Sequence, residues 1–313
     1  MDPFVVALVA VSALLHVAWN VRLKTAGEPL RAATVGMLAA TVGIVPAGIA
    51  AWWLTGRPAL PVEGIALGLL SGVIEAGYFV LLSAAYRRGD LSVVYPIARG
   101  TAPLLAVAIG VGLFGERLGL AGSVGVVLLL AGFMVLQQPW RALRRSGGGV
   151  GGTAGVVDSA GSGAGARSVD PAIAFALATG VTIATYTAVD RLGTRLINPL
   201  SYAAILWVTT SVTLALWVRF VAGGDVFAGG RQAIRSAAVG GWLTLGAYVL
   251  VLWALSVAPL SGVAPLRESA TVFAAAWGSV RLGEAVSRRE TWRRVGASVL
   301  IVGGAILLAI PGR

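Results

Sequence analysis

The chain has 313 residues, 57% hydrophobic and 12% charged, with a formal net charge of +11. Soluble domains carry roughly 25% charged residues, so a large water-exposed globule, a disordered chain and a coiled coil are poor solutions, and lipid is the natural solvent. With no cysteine and one histidine, disulfides, thiolate sites and multi-histidine metal sites are excluded.

Ten apolar segments are long enough to cross a bilayer, which takes about 20 residues each. They run about Pro3–Val21, Ala32–Leu54, Val62–Tyr86, Leu91–Phe114 and Leu118–Gln137, then Pro171–Val189, Pro199–Val221, Ala237–Val257, Leu260–Leu282 and Val295–Ile310. Continuous runs of this length argue for helices and against a β-barrel. The start, Met1-Asp2-Pro3, lacks a basic leader, so the first span is expected to stay in the mature chain. Residues 138–170 form a Gly/Ser-rich linker without the Gly-Lys-Ser/Thr ending of a nucleotide loop. The expected fold is therefore an all-α, polytopic membrane protein. Its expected units are a five-helix repeat over 1–137, the linker, and a second five-helix repeat over 171–313.

Sorting Lys and Arg by loop gives a strong bias. The loops after spans one, three, five, seven and nine hold 17 of the 24, the opposite face and carboxyl end hold 5, and Arg99 and Arg267 lie inside spans. The positive charge is therefore read as orientation rather than nucleic-acid binding. It is expected to place the odd loops in the cytoplasm and both termini outside a cell membrane.

The halves repeat one another in order. Leu91-Ser92-Val93-Val94-Tyr95-Pro96-Ile97-Ala98-Arg99 matches Leu260-Ser261-Gly262-Val263-Ala264-Pro265-Leu266-Arg267-Glu268, Gly115-Glu116 recurs as Gly283-Glu284, and Gly125 and Gly132 recur as Gly296 and Gly303. Both halves open on a proline, Pro3 and Pro171. Five is odd, so successive copies must be inverted in the bilayer, the architecture of secondary transporters with a midplane site. These duplicated motifs, with the opening His16-Val17-Ala18-Trp19-Asn20 and Lys24, resemble the EamA branch of the drug/metabolite transporter superfamily. The resemblance covers nearly the whole chain outside the linker. It implies a transporter of small metabolites, often outward, with a cavity lined by the first, third and fourth helices and their second-half counterparts. It also implies cytoplasmic termini, opposite to the charge count.

Ionisable groups inside spans cost at least about 2.5 kcal/mol each and are functional candidates by default. His16, Glu75, Arg99, Arg267 and Glu268 qualify. Arg99 aligns with Glu268, and a facing pair would either tie the halves together or handle substrate or protons. Arg267 and Glu268 are adjacent and point to different faces. Pro96 and Pro265 free backbone carbonyls beside these charges, or only kink the helices. His16, Asn20 and Lys24 share one helical stripe, as do Thr182, Tyr186 and Asp190 with Thr185 beside them. Asn20 could equally bind a neighbouring helix. Trp19, Tyr78, Tyr95, Trp242 and Tyr248 are candidate cavity-lining aromatics. Gly64, Gly68, Gly72 and Ala76 form a small-residue ridge for close helix packing.

The leading reading is a secondary transporter, an exporter of small organic metabolites by alternating access, as a monomer or homodimer. Protons are the candidate coupling ion, with Glu75 or Glu268 as carrier, and no cofactor is implied. The alternatives are an intramembrane enzyme, which finds neither HExxH nor paired intramembrane aspartates, and a passive channel or scaffold.

Overall fold

The computed structural model describes residues 1–25, 27–88, 91–138, 171–267 and 288–309. Among them every element is helical: α1 (Pro3–Thr25), α2 (Pro29–Leu54), α3 (Val62–Arg88), α4 (Leu91–Gly112), α5 (Leu120–Gln137), α6 (Pro171–Leu196), α7 (Pro199–Leu216, ending in a π-turn Trp217–Val221), α8 (Gly230–Val257), α9 (Leu260–Arg267) and α10 (Arg288–Ala309). Five of them, α2, α3, α6, α7 with its π-turn, and α8, have the length and apolarity to cross a membrane by those criteria alone, and α1, α4, α5 and α10 contain shorter apolar stretches.

Local sequence sets several starts. Proline opens α1, α2, α6 and α7, positions where its missing N–H costs nothing and its fixed φ favours the helix. Asn198 adds a side-chain cap, its Oδ1 accepting from Leu200 N at 3.0 Å. Pro265 lies inside α9 without ending it.

The helices pair across the two halves more than within them. α3 packs against α6 and α7, α1 against α8, α2 against α7 and α8, α4 against α6 and α9, and α5 against α10. Glycines make these approaches possible. A Cβ on Gly72 would lie 2.6 Å from Thr209 Cβ and 2.8 Å from Leu206 O, and one on Gly64 2.8 Å from Ile197 Cδ1. The ridge expected on the third span is thus the α3 packing surface, facing α7 and the segment leading into it. The α2–α8 crossing brings Gly36 onto Gly241, backbone to backbone.

The last pair, α5 and α10, packs through small residues. Gly125 meets Gly304 and Gly132 meets Ala297, while a Cβ on Gly296 or Gly303 would meet nothing within 4 Å. The residues of α10 that face α5 are thus Ala297 and Gly304, each next to a glycine of the recurring pair.

Two faces follow from contacts among helix ends. Gly27 and Glu28 after α1, Arg87 and Arg88 of α3, Phe175 of α6 and Ala228 before α8 line joined cavities on one face. On the other, the α4–α5 loop touches the start of α9, and Met1 N, at the chain's start, donates to Leu308 O near the end of α10 at 2.6 Å.

Candidate functional site

A narrow chamber lies where α1, α3, α6, α8 and α9 converge. Its walls include His16 and Trp19 from α1, Glu75 and Tyr78 from α3, Tyr186 from α6, Tyr248 from α8 and Arg267 from α9. Its volume is about 20 Å³, room for roughly one water. Seven sequence candidates therefore meet at one place: His16, Trp19, Glu75, Tyr78, Tyr186, Tyr248 and Arg267.

Each wall is held by a distinct contact. Glu75 is 2% exposed, and the Thr210 hydroxyl on α7 reaches its Oε2 at 3.3 Å. Arg99, buried on α4, is hydrogen-bonded to His16 Nε2, and Trp19 Nε1 approaches His16 Nδ1 at 3.3 Å. The aromatic rings run in series. Tyr78 and Tyr186 centroids are 6.0 Å apart, Tyr186 and Tyr248 are 6.1 Å apart, and Trp19 meets Phe79 edge-on at 6.2 Å. A carboxylate, a guanidinium and several ring faces around one space can take the charged and apolar parts of a small organic molecule.

Three expectations need separate treatment. Glu268, and with it the Arg99–Glu268 pair, lies outside the described residues, as do the side chains of Asn20, Lys24 and Tyr95. Trp242 does not line the chamber: it is 50% exposed, and its indole lies over Gly43 on α2. The sixth-span stripe also divides, because the Thr185 hydroxyl is exposed and bonds back to Val181 O, while Tyr186 and Asp190 are buried.

The sequence reading placed Asp190 on the sixth-span stripe without counting it among the intramembrane charges, and it missed Arg191 as a buried base. It ended the span at Val189, whereas α6 continues to Leu196. Asp190 is 1% exposed, and its oxygens accept from Ser71 Oγ at 2.5 Å, Tyr202 Oη at 3.0 Å and Tyr248 Oη at 2.5 Å. Helices α3, α7 and α8 thereby converge on one α6 carboxylate, and three hydroxyl donors supply the solvation that lipid cannot. The continuing four-residue spacing Tyr186–Asp190–Thr194 was the available signal. Tyr248 belongs to both groups, its ring in the chamber wall and its hydroxyl on Asp190.

From the basic face a vestibule of about 430 Å³ leads inward between α1, α2 and α8 to Trp19, Phe79 and Thr244, which also line the chamber. Arg22 and Arg31 stand at its mouth. Next to it, sharing Glu28 and Arg31, a second cavity of about 520 Å³ is lined by Arg87 and Arg88.

Known proteins resemble this chain in family and in fold. The model of a family described as "EamA-like transporter family" matches residues 3–137 and 170–310. The spermidine export protein MdtI of Enterobacter sp. (strain 638) is 43% identical over 70 residues, 22% of this chain and 64% of that protein. The multidrug resistance protein EbrB of Bacillus subtilis (strain 168) is 36% identical over 80 residues, 26% of this chain and 63% of its own. The chain thus spans a little under two thirds of the length of these relatives. One protein of known crystal structure superposes over 100% of this chain and 99% of its own with a TM-score of 0.68 at 21% identity, a likeness that speaks for the fold alone.

Proposed function

Because the chain belongs to the EamA-like transporter family, we propose that it exports small organic metabolites by alternating access, using the chamber around Glu75 and Arg267 as its binding site. One observation carries the reading. The vestibule opens on the arginine-rich face and ends at the aromatic boundary of the chamber. By the positive-inside rule that face is cytoplasmic and both chain ends lie outside, so this conformation loads from the cytoplasm.

Ten crossings in two inverted halves fit the helix pairing, in which α1–α8 corresponds to α6–α3 and α2–α8 to α7–α3 once the halves are exchanged. Within the chamber, Glu75, Arg267 and His16 bind the polar groups of the substrate, while Trp19, Tyr78 and Tyr186 hold its apolar body. Arg99 braces His16. Asn20, from the stripe on the first span, and Tyr95 and Glu268, from the repeated fourth- and ninth-span motifs, are further proposed substrate contacts on the sequence alone. Glu75 is the proton carrier if transport is proton-coupled. The names of the relatives, one a spermidine exporter and one a multidrug resistance protein, favour a transporter over an intramembrane enzyme and make organic amines the first compounds to try.

The test is uptake by inside-out vesicles of a metabolite panel that includes spermidine, with and without a pH gradient. Wild type should accumulate at least one compound above empty vesicles, and Glu75→Gln should lose most of that uptake. Uptake by neither protein, or equal uptake by both, would sink the proposal.

A further inference from the structure

The Gly115-Glu116 motif does not line the chamber, yet the Glu116 side chain accepts three hydrogen bonds on the face opposite the vestibule. Glu116 Oε1 accepts from Leu260 N at 2.7 Å, and Oε2 accepts from Ser261 N at 2.9 Å and from Ser261 Oγ at 2.7 Å. A first-half carboxylate therefore caps the N-terminus of second-half α9, where free backbone N–H groups and the helix dipole favour negative charge. Arg191 Nε of α6 lies 3.6 Å from the same Oε1, and Arg191 also donates to Leu255 O in the last turn of α8 at 2.9 Å. One carboxylate thus gathers α6, α8 and α9 onto the α4–α5 loop.

The loop is shaped to deliver it. Gly115 has φ +61°, in the left-handed region where glycine costs least, and Glu116 N donates to Gly110 O at 2.9 Å. A Cβ on Gly110 would run into Glu116 Oε2 and stand 3.0 Å from Ser261 N, so α4 leaves room for the carboxylate to seat. One layer further in, Asp190 precedes Arg191 on α6, and Tyr248 joins Asp190 to the chamber wall.

We propose that Glu116 is the latch of the closed face: its hydrogen bonds to Leu260 and Ser261 and its ion pair with Arg191 hold the face away from the vestibule shut, and they must break for the chamber to open there. The proposal rests on the alternating-access reading, and its test separates the two. The chain has no cysteine, so single cysteines report access without background. Val251, in the chamber wall one turn before Leu255 on α8, is the reporter as Val251→Cys. Arg57→Cys, in the exposed α2–α3 loop, marks the latch face, and a membrane-impermeant maleimide is applied to intact cells and to inside-out vesicles.

Glu116→Gln should speed labelling of the Val251→Cys reporter from the Arg57 face by about tenfold, the population change that follows from losing one charge-assisted contact, and slow it from the vestibule face. Ser261→Ala, which removes one bond of the set, should act in the same direction by about threefold and serves if Glu116→Gln does not fold. Unchanged rates overturn the latch, as does faster labelling from both faces, the mark of general loosening. A wild-type reporter that no face can label, with Glu116→Gln also unlabelled, overturns the latch and alternating access together. A reporter reached from both faces in wild type but unmoved by either variant overturns the latch alone.

Discussion

The two faces of the bundle end differently. At the latch face, Glu116 brings charge, helix N-terminus and arginine together, and behind it Asp190 takes three hydroxyl donors. At the vestibule face, α2 and α8 touch through Gly36 and Gly241 and then part around about 430 Å³ of space. Paired helices tied by polar contacts at one end and parted around a cavity at the other teach that a few polar contacts set the conformation, because apolar helix faces slide past one another in lipid with no hydrophobic penalty.

That contrast can be broken from either end. The largest effect is expected at the sealed face: Arg191→Gln removes the buried guanidinium facing Glu116 and should cost about 3 kcal/mol, as one-sided loss of a buried pair does, read as a lower unfolding midpoint in detergent. An unchanged midpoint would mean that the arginine is not integral to the closure. Next comes the crossing at the vestibule floor. A Cβ on Gly241 would collide with the backbone of Gly36, whereas one on Gly240 would meet nothing within 4 Å. Gly241→Ala should therefore destabilise by about 1–3 kcal/mol, and equal melting curves for Gly241→Ala and Gly240→Ala would contradict the crossing.

Smaller effects sharpen the path between the faces. Trp19 lines both vestibule and chamber and packs edge-on with Phe79. Trp19→Ala should raise labelling of the Val251→Cys reporter from the vestibule face by about fivefold, the equivalent of roughly 1 kcal/mol of aromatic contact. Access that does not change would place the barrier elsewhere. The smallest effect is expected at Trp242, half exposed over Gly43: Trp242→Phe should leave the apparent substrate affinity within about twofold, and a larger change would restore it to the cavity wall.

Much of the site was legible because lipid makes polar residues conspicuous. His16, Glu75 and Arg267 stood out in apolar runs, and they meet at the chamber. Asp190, though on the sixth-span stripe, and Arg191 were not read as buried charges, because charge near a helix end reads as loop until the helix is seen to continue to Leu196. Trp242 was misplaced for a different reason. Amphipathic rings serve cavities, interfaces and glycine grooves alike, and periodicity does not distinguish them.

The sequence by itself determined the solvent, the helical class, the family and the positions of the rare internal charges, since these depend on composition and local order. Only the tertiary structure decided which charges meet. His16 is met by Arg99, Asp190 by three hydroxyls, and the recurrent Glu116 by the N-terminus of α9. These partners lie 12 to 145 residues apart in the chain. Side-chain bonds at such separations depend on how helices cross, and the crossings here are set by single glycines such as Gly36, Gly72 and Gly241, where one added carbon would move a helix.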